Sequence, residues 1–101
     1  MSLQTEVEQF LDEYDMHMDP TYRLLDVTAE LGEVSAEAVK SAEYGSSPHE
    51  MAISDDEYGD LLFAILALGV ELDKDATAAL NTALQKYGQR LDTKGDAGSG
   101  R

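Results

Sequence analysis

Residues 54–72 read SDDEYGDLLFAILALGVEL, and this stretch decides the fold. Ser54 followed three residues later by Glu57 has the pattern of a capping box, so a helix is predicted to begin here. The run from Leu61 to Leu68 is apolar at every position, and therefore on every side of that helix. A helix that is hydrophobic all round is buried all round, and one small core can hardly surround it. We therefore expect a second subunit to cover part of it, which predicts a homodimer.

One helix is predicted near the start of the chain. It runs from about Thr5 to Met16, with Thr5 and Glu8 as its capping box. Its apolar residues recur at helical spacing and form one face, namely Val7, Phe10, Leu11 and Tyr14.

The next helix begins at Asp19-Pro20, because Asp is a good N-cap and Pro is favoured at the first helical position. It is expected to end near Tyr44, since residues 45–48 read GSSP, a stop-and-turn sequence. Its apolar stripe recurs at intervals of three and four residues: Leu24, Val27, Leu31, Val34 and Ala38.

The last helix is predicted to be capped by Asp73. Its apolar positions again follow helical spacing: Ala76, Leu80, Ala83, Leu84, Tyr87 and Leu91. No segment has the pattern of a strand, so the predicted fold class is all-α with four helices. Residues 1–92 are interpreted as one helical domain, and residues 93–101 as a disordered tail of polar and small residues.

The charge balance limits the kind of partner. The chain has 21 Asp and Glu against 7 Lys and Arg, a formal net charge of −14. Such a surface repels nucleic acid polymers and anionic membranes. It admits a single nucleotide whose phosphates arrive with a metal ion, because the ion inverts the local sign. Most of these carboxylates are explained by a solvated surface, as in an organism with high internal salt.

Several other classes of site are excluded. The chain has no cysteine, so it has no disulfide and no thiolate ligand or nucleophile. Two histidines are too few to be the main ligands of a zinc centre. The first residues have no signal-peptide pattern, and the longest apolar run is about half of a membrane span. The expected location is the cytoplasm.

Two acidic pairs are the candidate chemical site. Glu30 and Glu33 lie three apart on the second helix, and Glu57 and Asp60 three apart on the third. Residues at this spacing share a helix face, and four carboxylates on facing helices suit Mg²⁺ or Mn²⁺. In so acidic a chain such pairs also arise by chance, and Glu57 is accounted for as a capping residue. However, both pairs border apolar stripes, and interface carboxylates without a cation repel one another.

A glycine precedes the second acid of each pair, at Gly32 and Gly59. Glycine inside a helix costs roughly 1 kcal/mol relative to alanine, so its presence needs a reason. One interpretation is that a helix or a ligand approaches closely at this level.

Two cations on the last helix are the second candidate feature. Lys86 and Arg90 lie four apart on one helix face. One interpretation is that they interact with the dipole at the helix C-terminus. The alternative is that they hold the phosphate chain of a ligand opposite the metal.

These residues resemble a known family. Glu-x-x-Glu at residues 30–33, 23 intervening residues and Glu-x-x-Asp at residues 57–60 look like the signature of the MazG-like nucleotide pyrophosphohydrolases, which belong to the all-alpha NTP pyrophosphatase superfamily. The context at residues 29–34 and 57–63, with Lys86 and Arg90 downstream, is similar too. The resemblance extends over residues 24–91. One departure is Ala29, where many relatives have a further Glu.

The resemblance implies a four-helix MazG-like fold whose helices pack into a bundle through dimerisation. It also implies Mg²⁺-dependent hydrolysis of a nucleoside triphosphate to the monophosphate and pyrophosphate, with Mn²⁺ as a possible substitute. The metal ligands would be Glu30, Glu33, Glu57 and Asp60, and Lys86 and Arg90 would stabilise charge on the departing pyrophosphate. Glu33 is the candidate general base.

Other functions stay open at this point. Phosphoribosyl-ATP pyrophosphohydrolase has a related pattern of paired acids, although residues 58–64 look closer to MazG-like chains. A non-catalytic dimerising helical module is an answer of a different class. The base and sugar of the substrate, and the choice between a dimer and a dimer of dimers, do not follow from the residues.

Overall fold

The computed structural model describes residues 1–95, which form four α-helices. They are α1 (Leu3–Glu13), α2 (Pro20–Ser41), α3 (Asp55–Glu71) and α4 (Ala76–Lys94). Two one-turn 3₁₀ helices, Glu43–Gly45 and Pro48–Glu50, connect α2 to α3. Residues 1–95 contain no strand, which confirms the predicted all-α class and the number of helices.

Two of the predicted helix starts are correct. Asp19 caps α2, where its carboxylate accepts a hydrogen bond from the Thr21 backbone N–H at 2.8 Å. Ser54 caps α3, where its hydroxyl accepts from the Glu57 backbone N–H at 3.2 Å. In both cases a short polar side chain satisfies a backbone donor that has no carbonyl partner inside the helix.

The other two predicted starts are wrong by a few residues. Helix α1 begins one turn earlier than expected, because the Ser2 hydroxyl accepts from the Thr5 backbone N–H at 3.1 Å. Helix α4 begins later, because Asp75 and not Asp73 caps it, accepting from the Ala78 backbone N–H at 2.9 Å. Asp73 instead lies in the preceding turn with a positive φ of 56°. Several good capping residues compete at each of these starts.

Helix α3 is the central element, because both α1 and α2 pack against it. Its Ala64 and Ala67 are buried, as is Leu11 on α1. Phe10 of α1 and Phe63 of α3 meet edge to face, with ring centroids 6.0 Å apart, a favoured geometry for aromatic pairs. Most of the apolar run on α3 is only half-buried, and the side chain of Ile65 is 48% exposed. The single chain therefore does not enclose this helix.

The inward face of α2 differs from the apolar stripe read from the sequence. Leu24 and Leu31 of that stripe are more than half exposed. Arg23 is buried to 3% exposure, and Glu30 is half-buried. The buried face of α2 is thus rotated toward polar residues. This rotation places Glu30 toward α3.

Helix α4 stands apart from the other three helices, with which it makes little contact. At its first residue, the Ala76 N–H donates a hydrogen bond to the Gln4 side chain of α1 at 2.8 Å. The Cα radius of gyration is 16.8 Å, against about 13 Å for a compact domain of 100 residues. The molecule is therefore extended.

Helix α4 continues to Lys94, two residues past the predicted domain end, and Gly95 follows it with a φ of 80°. Glycine tolerates this left-handed conformation at a helix end. The rest of the predicted tail, residues 96–101, lies outside the described residues. No helix within residues 1–95 is long and apolar enough to cross a membrane.

Candidate metal centre

Helices α2 and α3 bring three carboxylates together. Glu30 comes from α2, and Glu57 and Asp60 come from successive turns of α3. One carboxylate oxygen from each side chain lies within 4.8 Å of the other two. Glu30 and Glu57 are half-buried and Asp60 is exposed. We call these three residues the acidic triad.

Glu33, the fourth predicted ligand, is exposed and is not a member of this close group. It lines a neighbouring pocket together with Glu57, Glu37 and Lys40. Its negative charge nevertheless acts on the triad, since it raises the pKa values of both Glu30 and Glu57. The structure therefore places Glu33 beside the triad, within electrostatic range.

The triad carries an electrostatic conflict. Partial burial raises the pKa of Glu30, and the charge of Asp60 raises it further. Partial burial likewise raises the pKa of Glu57, followed by the charges of Glu33 and Glu37. Both causes disfavour the ionised form of a carboxyl group. A cation placed between these groups removes the repulsion.

Glu57 does not serve as the return partner of a capping box. In a capping box its carboxylate accepts from the backbone N–H of the N-cap residue. Here the Ser54 N–H donates to Glu37 Oε1 at 2.5 Å instead. Because α2 supplies that acceptor, the Glu57 carboxylate is left to face Glu30 and Asp60. This arrangement answers the alternative that Glu57 is only a capping residue.

A pocket of about 350 Å³ opens on one side of the triad. Glu30, Asp60 and Asp26 form its acidic part. Its remaining wall is mostly apolar, with one buried guanidinium, and consists of Met16, Met18, Arg23, Phe63 and Ala64. A pocket with both characters accepts a ligand that has a charged end and an uncharged end.

Arg23 is a site residue that the sequence analysis did not identify. Its guanidinium donates to the Met16 carbonyl, and its Nε lies 3.5 Å from Glu71 Oε2. Glu71 also accepts from the Met18 backbone N–H at 2.8 Å. These bonds hold the α1–α2 loop, and hence one wall of the pocket, against the end of α3. The sequence does contain a signal for its burial. Arg23 lies four residues before Val27, and therefore on the same face of the helix as part of the predicted apolar stripe.

Lys86 and Arg90 are not part of this site within one chain. Both lie on α4, and none of the residues that line the two pockets beside the triad comes from that helix. Both cations instead approach the ring of Tyr87, with Lys86 Nζ at 5.3 Å and Arg90 Cζ at 5.9 Å from its centroid. Their predicted role toward phosphate stays a prediction.

The glycines of the two acidic pairs are open to their surroundings. A Cβ atom built on Gly32 or on Gly59 meets no heavy atom within 4 Å. Close approach of another helix of residues 1–95 is therefore not the reason for either glycine.

The donor set fits a hard divalent cation. Mg²⁺ and Mn²⁺ prefer carboxylate oxygens and commonly keep several waters, so a few protein ligands on an accessible face suffice. The triad provides three such groups from two packed helices. Thiolates are absent from the chain, which leaves softer metals without their preferred ligand.

Comparison with protein-family models, with curated proteins and with solved structures finds no match for this chain.

Proposed function

We propose that this protein is a Mg²⁺-dependent nucleoside triphosphate pyrophosphohydrolase of the MazG-like type, active as a homodimer or a dimer of dimers. The observation that supports it best is the acidic triad, in which Glu30, Glu57 and Asp60 approach within 4.8 Å of one another across two helices. The family resemblance of residues 24–91 connects this site with phosphoanhydride hydrolysis.

The surroundings of the triad favour a nucleotide over an inorganic polyphosphate. The adjoining pocket joins acidic residues to an apolar wall that includes Met16, Met18 and Phe63. A nucleotide has the same two parts, since its phosphates are charged and its base is planar and largely apolar. In a chain of net charge −14, the phosphates require a divalent cation to approach these carboxylates.

Each residue has a role in the proposed reaction. The triad would hold Mg²⁺, which when bound neutralises the triphosphate and makes the attacking water more acidic. Glu33 accepts the proton of that water, because its exposed carboxylate lies beside the triad and outside it. A bond forms between the water oxygen and the α-phosphorus, and the α–β bridging bond breaks. Monophosphate and pyrophosphate leave.

The deciding experiment measures pyrophosphate release with Mg²⁺, Mn²⁺ or a chelator across a panel of ribo- and deoxyribonucleoside triphosphates and phosphoribosyl-ATP. Activity that requires the metal and yields monophosphate is the expected result. Asp60→Asn should abolish it, whereas Asp92→Asn, an acid on α4, should retain it. Binding of Mn²⁺ to the metal-free protein, followed by calorimetry, tests the site without turnover.

The outcomes separate the alternatives. Selective turnover of phosphoribosyl-ATP would assign the related activity of histidine biosynthesis. Metal binding and self-association without turnover of any nucleotide would leave a non-catalytic helical module. Full activity of Asp60→Asn, or of the wild type in chelator, would overturn the proposed metal centre.

A further inference from the structure

The loop between α1 and α2 forms part of the apolar wall of the pocket beside the acidic triad. Met16 and Met18 line that pocket together with Glu30 and Asp60. His17 lies between the two methionines in the chain and is not among the lining residues. Its ring contacts α1 and α3 instead. A change in the position of His17 therefore changes the wall that a ligand in this pocket would touch.

The loop is anchored to Glu71 at the end of α3. Glu71 Oε2 accepts from the Met18 backbone N–H at 2.8 Å and lies 3.5 Å from Arg23 Nε. Its other oxygen, Oε1, lies 2.9 Å from His17 Nδ1. Arg23 also donates to the Met16 carbonyl, so the guanidinium joins the loop to the same carboxylate. The side chains of Arg23 and Glu71 are buried, and water therefore competes little for these contacts.

Of these three donors to Glu71, only His17 changes its charge near neutral pH. A guanidinium stays protonated in proteins, and a backbone amide does not titrate. The charged groups that face the ring are Asp12 from α1 and Glu71 from α3, and Glu71 is contacted in turn by Arg23 from α2. Hydrogen bonds to Asp12 and Glu71 raise the pKa of His17 above 6.5, which places its change of charge in the neutral range.

Deprotonation leaves the His17 ring with one unfavourable contact. Each ring nitrogen lies beside a carboxylate oxygen, with Nε2 at 2.5 Å from Asp12 Oδ1 and Nδ1 at 2.9 Å from Glu71 Oε1. A neutral imidazole donates from one nitrogen and presents a lone pair at the other. Whichever tautomer forms, one lone pair then points at a carboxylate. The ring is therefore expected to turn away from α1 or from α3.

We infer that His17 is a latch on the pocket wall, closed by a proton. The protonated ring holds residues 16–18 against α3, so that Met16 and Met18 form a fixed apolar wall beside Glu30 and Asp60. Loss of the proton releases this wall. The latch is closed below pH 6.5 and opens as the pH rises through the higher pKa of His17 in the folded protein.

The latch makes substrate binding depend on pH, an extension that rests on the proposed function. The base of a nucleotide would meet Met16 and Met18, whereas the metal and the phosphates would lie at the acidic triad. None of the residues that form the latch belongs to the triad. Opening should therefore raise KM and leave kcat and metal affinity unchanged. By reciprocity, a nucleotide in the pocket should make His17 harder to deprotonate.

The first test follows the latch without a ligand. The chain has two histidines, so NMR can separate the titration of His17 from that of His49. The Met18 amide donates to Glu71 and reports whether the loop is held. Relative to its intrinsic rate, it should exchange with solvent at least about fivefold faster once His17 is neutral, the lower end of typical coupling between two sites. Exchange at Met18 that does not follow the His17 titration would overturn the latch.

Three substitutions should change the latch in different directions. His17→Arg keeps a permanent cation beside both carboxylates, so the Met18 amide should stay protected throughout. His17→Gln should leave it in fast exchange throughout. Asp12→Asn removes one carboxylate that stabilises the protonated ring, and release should therefore move to lower pH. Glu13→Gln removes a charge at the neighbouring position and is the control. The same midpoint of release in Asp12→Asn and Glu13→Gln would contradict the latch.

The second test compares turnover by the wild type and by His17→Arg between about pH 6 and pH 9. Pyrophosphate release from the best nucleoside triphosphate is measured, and the ratio of the two proteins cancels effects of pH on the triad. The KM ratio should rise about fivefold through the His17 titration, whereas the kcat ratio and the affinity for Mn²⁺ should stay constant. His49→Gln should behave as the wild type.

The outcomes separate the latch from the proposed function. A constant KM ratio, with Met18 exchange that still follows His17, would refute the effect on substrate binding alone. An inactive wild type whose Met18 amide follows His17 would refute the proposed function and leave the latch standing.

Discussion

The Nδ1 atom of His17 lies 2.9 Å from Oε1 of Glu71, and this contact joins the α1–α2 loop to the end of α3. The other ring nitrogen of His17, Nε2, lies 2.5 Å from Oδ1 of Asp12 on α1. A neutral imidazole donates from one nitrogen only, so both contacts are hydrogen bonds when His17 is protonated. The protonated ring therefore links three elements that frame one wall of the candidate site.

This geometry predicts that stability decreases with rising pH above the ordinary pKa of histidine. Hydrogen bonds to Asp12 and Glu71 raise the pKa of His17 above 6.5. The contribution of His17 is thus fully present below pH 6.5 and is lost as the pH rises through the higher pKa of the folded state. The difference in thermal midpoint between the wild type and His17→Gln should shrink over that interval.

The control for this prediction is His49→Gln, which changes the other histidine and should not reproduce the pH dependence. Glu71 determines how the link to His17 responds at low pH. Burial alone would raise the pKa of Glu71, but its hydrogen bonds to His17 and Met18 lower that pKa from 4.5. Its contribution is present above pH 4.5 and is lost as the pH falls through the lower folded value. A pH-independent difference between wild type and His17→Gln would contradict the link.

The sequence could predict the four helices, because helix periodicity and capping signals are local. Where one good N-cap was available, as at Asp19 and Ser54, the helix start was correct. Where Ser, Thr and Asp lay within a few residues of one another, the choice depended on tertiary contacts that no local pattern contains. The Gln4 contacts at the start of α4 are an example.

The candidate site was only partly predictable for a similar reason. The spacing placed Glu57 and Asp60 on one helix face, and the apolar stripes beside both acidic pairs indicated that Glu30 would face them. The spacing could not show that Glu33 stays outside the close group, since that depends on the rotation of α2. Arg23 was missed because its burial depends on Glu71, 48 residues away.

The acidic triad predicts that neutralising one carboxylate maintains or increases stability when no metal is present. Because the pKa of Glu57 is raised in the fold, its ionised form destabilises the folded state at pH values above that pKa. This cost is absent below pH 4.5, where the carboxyl group is protonated in both the folded and the unfolded state. With a chelator near pH 7, Glu57→Gln should therefore unfold at the same temperature or higher. Near pH 4 the two proteins should converge. Glu13→Gln on α1 is the control, and a clear loss of stability in Glu57→Gln would argue against electrostatic conflict.

Salt should increase both stability and self-association. The net charge of −14 opposes compaction and assembly, and salt screens exposed charges beyond about 10 Å at 0.1 M. The thermal midpoint and the sedimentation coefficient should both rise between low and molar KCl, and sucrose at matched viscosity should not reproduce the effect. Helix α4 has three cations and one carboxylate. A fall in both quantities would mean that attraction between α4 and the acidic helices outweighs general repulsion.

A substitution of Gly59 should change helix stability and self-association in opposite directions. Replacing a glycine inside a helix with alanine stabilises it by about 0.5–1 kcal/mol, and the added methyl meets nothing in the single chain. Gly59 lines an apolar concavity between α1 and α3, which the second subunit of the proposed dimer is expected to cover. Gly59→Ala should therefore raise the thermal midpoint of the monomer and weaken self-association. Gly32→Ala is the matched control, because Gly32 is equally open and is not among the residues that line this concavity. Equal self-association of both variants would exclude close approach at Gly59.

Substitutions of Lys86 and Arg90 can show whether these cations act at the end of the helix or contact the phosphates of a ligand. If they only interact with the helix dipole, Lys86→Gln or Arg90→Gln should lower stability by a few tenths to about 1 kcal/mol and leave turnover unchanged. If they contact the phosphate chain, the thermal midpoint should hardly change and kcat/KM should fall roughly thirty- to a thousandfold, the equivalent of about 2–4 kcal/mol.

The phosphate role is the expected result under the proposed function, because both cations lie beside Tyr87 on one face of α4, where one anionic ligand could contact both. Kinetics and thermal midpoints should be measured on the same preparations of both variants. Binding of Mn²⁺ without nucleotide should survive either change, since neither side chain is a metal ligand. A lowered midpoint with unchanged kcat/KM would assign both residues to the helix end and remove them from the proposed reaction.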